Sequence, residues 1–280
     1  MTDIGFVHHP FDYRLFGSLT ITGFGLAVLL AFVIAQIIAQ RELARRGHDP
    51  EPIGDLVFWA AVGGLVGAKV YYAILMQDAG ALLSRGGFVF WGGLIGGILA
   101  VSAVVVRKRL GFFRIADVAG IAIAAAYSVG RTGCWAVGDD YGRPWSSRFA
   151  VSFPQGAPPS TVENMVRDFG ITPPPGLPAN AVLSVYPTQL LETAMGFLMF
   201  WILWRMRDHK HAEGWLFGVY MILAGAERFL IEFLRAKDDR FFGVFTMAQM
   251  IAVLFMLAGA AFMYMRRDVS AESKGIYATA

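Results

Sequence analysis

Three ionisable residues near the end of an apolar segment have a spacing that would bring them together on a helix. Arg228, Glu232 and Arg235 are four and three residues apart and would share one helix face. A charge near the middle of a membrane costs about 2.5–3.5 kcal/mol, and less near a helix end, where a long side chain reaches the interface. Such a stripe is typical of a structural ion-pair ladder or of a polar cavity. Two arginines for one carboxylate favour a cavity that binds an anionic lipid headgroup.

A second group of charged residues lies in a glycine-rich segment, residues 130–143. Its four glycines predict a tight loop rather than a helix, with backbone N–H groups that can point at an anion. Arg131 and Arg143 add guanidinium groups, whose planar fork can bind two phosphate oxygens. Asp139 and Asp140 are candidate general bases, because adjacent carboxylates can raise each other's pKa. The alternative is a glycine-rich turn with solvated charges.

Motifs of nucleotide and metal chemistry are missing from the sequence. It has no P-loop, no HExxH pair and no paired CxxC. The five histidines fall in terminal or loop regions. The lone Cys134 is better explained as a small buried residue than as a nucleophile. We therefore expect no cofactor and no catalytic metal.

The composition defines the class of protein that must position these residues. Hydrophobic residues make up 56% of the chain and charged residues 16%, against about 25% charged in soluble domains. The mean hydropathy is +0.53, and the apolar residues form blocks of about 20, the length of helix that crosses a bilayer. These values exclude a soluble enzyme core, a disordered tail and, with one cysteine, a disulfide scaffold. A net charge of +3 on so apolar a chain does not indicate nucleic acid as a partner.

We predict an all-α polytopic membrane protein with one integral-membrane domain over residues 1–280. The seven transmembrane helices cover about 17–39, 53–77, 87–106, 115–130, 186–204, 214–235 and 245–265. A small extracytoplasmic cap, residues 144–185, is inserted between spans 4 and 5. Within it, residues 148–153 alternate polar and apolar like a short strand. Glycines four residues apart in spans 2 and 3 predict close packing of those helices.

The orientation follows from Lys and Arg in the short loops. Five lie on the side of the N-terminus and thirteen on the opposite side, which is therefore predicted to be cytoplasmic. The N-terminus then lies outside and the C-terminus inside the cell. The thirteen are Arg41, Arg45, Arg46, Arg107, Lys108, Arg109, Arg114, Arg205, Arg207, Lys210, Arg266, Arg267 and Lys274.

Four local motifs, in this order along the chain, resemble those of the bacterial prolipoprotein diacylglyceryl transferases. They are residues 90–96, residues 130–143, residues 186–192, and residues 225–228 followed by Glu232 and Arg235. The second is similar to the family signature GRxGNFxNGExxG, and the third contains a PTQxxE sequence typical of the family. The resemblance covers nearly the whole chain, with its spans and its cap.

The resemblance implies a multi-pass enzyme of the bacterial cytoplasmic (inner) membrane. Enzymes of this family move the diacylglyceryl group of phosphatidylglycerol, a membrane lipid, to the thiol of the lipobox cysteine in a prolipoprotein signal peptide. A thioether forms and glycerol phosphate leaves. Arg131 and Arg228 would correspond to the family's essential arginines, with Asp139 and Glu192 as further catalytic candidates. The residues expected to bind substrate are Trp91, Gly138, Arg143, Gln189, Glu232 and Arg235.

The sequence departs from the family pattern mainly in the half of the site that would activate the acceptor. The family has histidine at Trp91, tyrosine at Phe24, asparagine at Cys134 and Val137, and glutamate at Asp139. That histidine is the usual candidate for activating the thiol. The arginines expected to bind the donor are kept.

If the acceptor is the lipoprotein thiol, Asp139, Asp140 or Glu192 is a possible substitute base. Two alternatives to this acceptor stay open at this point. One alternative is a related phospholipid-dependent transferase with a different acceptor. The other is a non-catalytic membrane protein that binds lipid or an anion. Against a transporter, the sequence shows no repeat between spans 1–3 and spans 5–7.

Overall fold

Helices make up most of the protein. The structure, a computed structural model, describes residues 6–16, 19–84, 87–172, 175–237, 240–241 and 245–268. The α-helices are α1 (Gly23–Arg45), α2 (Pro52–Met76), α3 (Phe90–Arg107), α4 (Phe112–Val137), α5 (Val162–Arg167), α6 (Thr188–Met206), α7 (Trp215–Ile231) and α8 (Met247–Met265). A short 3-10 helix, Ala79–Leu83, follows α2.

In the part of the chain that the structure describes, five helices are long and apolar enough to cross a membrane, namely α1, α2, α3, α4 and α8. Large apolar side chains on their surfaces are exposed, among them Leu29, Leu65, Leu99 and Leu254. Side chains of this kind are stable on the outside of a protein when they face lipid instead of water. The chain is therefore a helical polytopic membrane protein.

The first span begins later than predicted. Strands β2 (Asp12–Phe16) and β3 (Leu19–Thr22) form an antiparallel hairpin, and α1 starts only at Gly23 and continues to Arg45. Residues 19–22 alternate apolar residues with threonine, which favours a strand. A hydropathy window counts the same residues as part of the span, and so the predicted start at residue 17 was wrong.

The predicted glycine-rich loop is helical over much of its length. Helix α4 includes Gly130 and Gly133 and runs to Val137. A Cβ atom at Gly133 would lie 2.8 Å from the Cβ of Ala27 on α1, so this glycine allows the two helices to pack closely. In a membrane such packing offsets the low helix propensity that glycine shows in water. The helix ends at Gly138, which adopts a left-handed φ of 72°.

The chain divides into two compact units, one of residues 35–122 and the other of residues 1–34 and 123–280. In the unit of residues 35–122, α2 and α3 pack along the predicted glycine seam. A Cβ at Gly67 would overlap the carbonyl of Gly92, and a Cβ at Gly63 would lie 2.6 Å from the carbonyl of Gly96. Side chains of α1, α2, α3 and α4 form its core, including Leu43, Ile53, Val105 and Val118.

The other unit contains the segment predicted to form a cap. Strand β4 (Val151–Ser152) pairs with β5 (Ser184–Val185) and, in parallel, with β1 (Phe6–Val7) from the N-terminal segment. The strand predicted over residues 148–153 is therefore present but shorter. Together with α5 this sheet encloses a core of buried residues that includes Phe153 and Met165.

Helices α4, α6 and α7 of this unit carry most of the residues of the predicted site. Helix α6 approaches α4 at Gly196, where a Cβ would lie 2.7 Å from Ser128 Oγ. Helix α7 packs on α8 at Gly218 and Gly225, where a Cβ would lie 2.8 Å from a carbonyl oxygen of α8. A two-stranded hairpin, β6 (Arg240–Phe241) and β7 (Phe245–Thr246), leads into α8.

Candidate active site

Arg131 lies near the end of α4 and contacts acidic side chains from two other segments. Its Nη2 donates to Glu192 Oε2 on α6, and its Nη1 donates to Asp140 Oδ2 at 2.9 Å. Nη1 also lies 3.2 Å from the sulfur of Cys134. The guanidinium is only 12% exposed, and Glu192 is 1% exposed. The ion pair is therefore shielded from water, so its electrostatic effect is strong.

The start of α6 fixes the loop that follows α4. Gln189 Nε2 donates to the carbonyl of Asp139 at 2.5 Å, and Thr188 Oγ1 donates to the carbonyl of Asp140 at 2.7 Å. Gly138 provides the turn, because a Cβ there would lie 2.8 Å from Phe153 and its φ is positive. Gly138 and Gln189 thus shape the loop through the backbone.

Arg235, in the chain segment that follows α7, joins Arg131, Asp140 and Glu192 in one group of charged side chains, the guanidinium cluster. Its Nη2 donates to Asp140 Oδ1 at 2.7 Å, and its Nη1 lies 3.7 Å from Glu192 Oε1. Asp140 therefore bridges Arg131 and Arg235, one through each carboxylate oxygen. The helix predicted to run through residue 235 ends at Ile231, so Arg235 reaches the cluster from a turn rather than from a helix face.

Arg228 and Glu232 form the neighbouring pair. Arg228 Nη2 donates to Glu232 Oε2 at 2.5 Å, and the same oxygen lies 3.9 Å from Arg235 Nε. Glu232 is 1% exposed, whereas Arg228 is 35% exposed. Of the guanidinium groups of Arg131, Arg228 and Arg235, that of Arg228 is the most accessible to a ligand.

The two adjacent aspartates have opposite properties. Burial raises the pKa of Asp139 to about 6, and the charge of Asp140 adds to this effect. Burial acts on Asp140 as well, but Arg235 and Arg131 outweigh it and lower the pKa of Asp140 to about 2. Asp139 Oδ1 is buried and has no hydrogen-bond partner within the described part of the chain. Asp139 can therefore accept a proton near neutral pH, and Asp140 serves as a fixed negative charge.

Comparison with known proteins identifies the family. The model of the family described as prolipoprotein diacylglyceryl transferase matches residues 10–265. The chain belongs to this family.

Its relatives include proteins named phosphatidylglycerol–prolipoprotein diacylglyceryl transferase from three bacteria. The Bordetella bronchiseptica protein is 30% identical over 87% of this chain and 90% of its own length. The Geobacter sulfurreducens protein is 30% identical over 89% and 92%, and the Clostridium tetani protein 27% identical over 89% and 94%. The likeness therefore extends over nearly the full length of these transferases.

The structure gives two of the predicted substrate-binding residues of this family member, Arg143 and Trp91, contacts of another kind. Arg143 donates from Nε to the carbonyl of Arg235 at 3.1 Å and from Nη2 to that of Lys237 at 2.8 Å, so it braces the turn that carries Arg235. Trp91 belongs to the unit of residues 35–122, at the start of α3. There its ring meets Phe90 edge-on and is 45% exposed.

Two further residues of the family member reach the cluster without having been predicted. Tyr127 Oη lies 2.9 Å from Glu227 Oε1 and 3.5 Å from Glu192 Oε1. Tyr127 precedes Arg131 by four residues, so a helical α4 places both on one face. This spacing of four residues is a signal in the sequence, but a loop that begins at Gly130 does not bring the two residues together. Glu227 lies within the motif of residues 225–228, in which Arg228 is the residue with an implied role.

Cys134, Asp139 and Asp140 have ligand atoms within 4.8 Å of one another, a separation that would suit a metal ion. The guanidinium of Arg131, however, already contacts both Cys134 and Asp140. This positive charge opposes a cation at the same place and suits an anion instead.

Proposed function

We propose that the protein transfers the diacylglyceryl group of phosphatidylglycerol to the cysteine thiol of a prolipoprotein lipobox. The thiol sulfur forms a thioether with the glyceryl carbon, the carbon–oxygen bond to the phosphate breaks, and glycerol phosphate leaves. The observation that carries this proposal is the convergence of Arg131, Arg228 and Arg235 on the carboxylates of Glu192, Glu232 and Asp140. It occurs in a chain of the family whose relatives bear this enzyme's name.

The arginines would stabilise the leaving group. Negative charge grows on the phosphate as the carbon–oxygen bond breaks, and preorganised guanidinium groups in a site with little water stabilise such charge strongly. Arg228, the most accessible, would contact the phosphate together with Arg131. Glu192 and Glu232 would hold these two arginines in place, and Arg235 would hold Asp140. The substrate phosphate then competes with carboxylates that are already bound to the same groups.

Asp139 is the best candidate for the proton acceptor that replaces the family histidine. A free cysteine has a pKa near 8.5, so about a few per cent is thiolate at pH 7. Asp140 and Glu192 are each bound to two arginines. Asp139 makes no ion pair within the described residues, and burial raises its pKa to about 6. The thiol proton would pass to its free Oδ1.

We further propose the membrane arrangement that this chemistry needs. Helices α6 and α7 complete seven spans, the N-terminus lies outside the cell and the C-terminus inside, and residues 144–185 form the extracytoplasmic cap of a single integral domain. The excess of Lys and Arg in the loops on the side opposite the N-terminus supports this orientation. The site at the end of α4 would then face the exterior of the bacterial cytoplasmic membrane, where a secreted prolipoprotein arrives.

Incubation of the purified protein with labelled phosphatidylglycerol and a lipobox peptide tests the activity. We expect the label on the peptide cysteine and one glycerol phosphate released for each peptide modified. A peptide with serine in place of cysteine is the matched control. Absence of peptide modification would contradict the proposal.

Cysteine labelling in intact cells tests the orientation. A membrane-impermeant reagent should label His9→Cys and should not label Lys274→Cys. The native Cys134 is buried and should add little background labelling. The reverse pattern would place the site on the wrong side for a secreted acceptor.

A second candidate function is transfer of the same lipid group to a different acceptor. Trp91 in place of the family histidine favours it, because the donor-binding arginines are kept while the group for acceptor activation is changed. Release of glycerol phosphate without modification of the lipobox peptide, when cell extract supplies other acceptors, would support this alternative.

A further inference from the structure

A half-buried tyrosine and a buried glutamate lie beside the arginines, and the proposed reaction does not use them. Tyr127 on α4 is placed between Glu192 on α6 and Glu227 on α7, at 3.5 and 2.9 Å. Glu227 is 7% exposed. An ionisable group inside a membrane helix is costly, so its presence and its partner call for an explanation.

Glu227 differs from Glu192 and Glu232, the neighbouring carboxyl groups, in the partners that it binds. Glu192 binds Arg131 and Arg235, and Glu232 binds Arg228 and Arg235. Within the described residues Glu227 makes no ion pair, and its hydrogen bond is to the Tyr127 hydroxyl. A buried carboxylate without a cation is strongly unfavourable, whereas a carboxylic acid with a hydrogen-bond acceptor is tolerated.

The hydrogen positions favour the same protonation state. Tyr127 has one hydroxyl proton for two carboxyl groups. If Glu227 carries a proton, it donates to the oxygen of Tyr127, and Tyr127 donates to Oε1 of Glu192. The Tyr127 hydroxyl then accepts one hydrogen bond and donates another, and the negative charge stays on Glu192, beside its two arginines.

We propose that Tyr127 and a protonated Glu227 are positioning residues, which orient Glu192 and thereby hold Arg131 for the phosphate. The chain of hydrogen bonds ends on Glu192 Oε1, while Oε2 of the same carboxylate binds Arg131. Loss of the chain frees the Glu192 carboxylate to turn, and the guanidinium turns with it. This inference rests on the proposed function for its effect on rate, but the proton on Glu227 is an independent property.

Kinetics of the full-length protein test the positioning role. With phosphatidylglycerol and lipobox peptide, Tyr127→Phe should lower kcat/KM for the lipid by about tenfold to a hundredfold, the range of a hydrogen bond to a charged group. Most of the loss should be in kcat, because Arg131 must be aligned as the phosphate charge develops. Tyr264→Phe, at an exposed tyrosine of α8, is the matched control. If Tyr127→Phe behaves like that control, the positioning role is wrong.

Paired substitutions of Glu227 test its protonation state. Glu227→Gln keeps a donor for Tyr127, and Glu227→Leu removes it. We expect the glutamine variant to be at least about tenfold more active than the leucine variant. If the two are equally impaired, a carboxylate is required and the proton assignment is wrong. Should Glu227→Leu fail to fold, the comparison of Glu227→Gln with Glu163→Gln, at an exposed glutamate of α5, takes its place. A loss of more than a hundredfold in Glu227→Gln alone would then overturn the assignment.

Infrared spectroscopy gives a readout that does not depend on activity. At about pH 8, above the pKa of about 6 of Asp139, the carbonyl stretching band of a protonated carboxylic acid should be present. It should disappear in Glu227→Gln and persist in Glu163→Gln. A band unchanged in Glu227→Gln, or absent from the unsubstituted protein, overturns the assignment. If the protein has no transferase activity, the proposed function fails, and this band still decides whether Glu227 is protonated.

Discussion

Each compact unit buries a glutamate between two arginines, and the two arrangements differ in origin. In the unit of residues 35–122, Glu42 accepts hydrogen bonds from Arg45 at 2.7 Å and Arg46 at 2.9 Å, three and four residues further along the chain, where α1 ends. In the other unit, Glu192 on α6 binds Arg131 of α4 and Arg235 of the turn after α7. The two arginines of the first arrangement lie within four residues of Glu42, although Arg46 also lies 3.5 Å from Asp117 on α4. The second arrangement brings its glutamate and arginines together from three separate segments.

The difference indicates which cluster is built for chemistry. A glutamate with arginines three and four residues away is satisfied as soon as its helix forms. The cluster around Glu192 also holds Asp139 and Glu227, two carboxyl groups that make no ion pair within the described residues. Buried acids without a cation are costly to keep and are typical of functional sites. We therefore expect substitutions around Glu192 to affect turnover and those around Glu42 to affect stability.

The largest effect is expected at the proposed base. Asp139→Asn should lower transfer by about 10²–10⁴-fold, the usual contribution of a positioned base, while phosphatidylglycerol binding stays intact. Rates of peptide modification and lipid binding, measured on the same preparation, check this. Asp168→Asn in the cap is the control and should keep the normal rate.

The pH profile sharpens the same prediction. A base must be unprotonated, so activity should rise as pH increases through about 6, the pKa of Asp139. Asp139→Asn should abolish this rise and leave only the dependence from the acceptor thiol. An unchanged profile in the variant would assign the base to another group.

The next largest effect is expected at two arginines. Arg131→Ala and Arg228→Ala should each lower the rate of transfer by about 10²–10³-fold, by analogy with the donors of an oxyanion hole. Arg→Lys should not restore full activity at either position, because lysine cannot make the two-point contact. Turnover measured beside Arg167→Ala, an exposed arginine of α5, checks this. Correctly folded alanine variants with full turnover would show that both arginines are structural.

Substitution of Glu42 should lower the stability of the protein and leave its turnover unchanged. Glu42→Gln weakens three charged hydrogen bonds, two from Arg45 and one from Arg46, and should lower the free energy of unfolding by about 1–3 kcal/mol. Thermal unfolding in detergent measures this loss, and the turnover of the folded fraction should stay normal. A large loss of turnover at unchanged stability would remove the distinction between the two clusters.

The smallest effect is expected from restoring the family histidine. Trp91→His should give little gain in peptide modification, because the proposed base is already present at Asp139. If the substitution instead creates lipoprotein modification in a protein that lacks it, the natural acceptor is a different group. Peptide modification by Trp91→His and by the unsubstituted protein is measured with the same lipobox peptide and the same lipid preparation.

The sequence by itself was enough to determine the membrane class and the family, and it pointed to most of the charged residues that the structure brings together. Blocks of apolar residues set the helices, since a bilayer requires long apolar segments. Guanidinium and carboxylate groups in such segments are few, so the functional candidates could be recognised one by one. The glycine seam of α2 and α3 followed from spacing alone and is confirmed.

Only the tertiary structure decided where α4 ends and how the charges pair. Residues 130–137 became helical because Gly133 packs closely against α1, a contact between segments more than 100 residues apart. That extension brings Tyr127 into line with Arg131. The pKa values of Asp139 and Asp140 diverge for the same kind of reason, because Arg131 and Arg235 reach Asp140 from distant segments. Spacing along a chain encodes contacts within one helix, whereas pairing between helices depends on the packing of the whole unit.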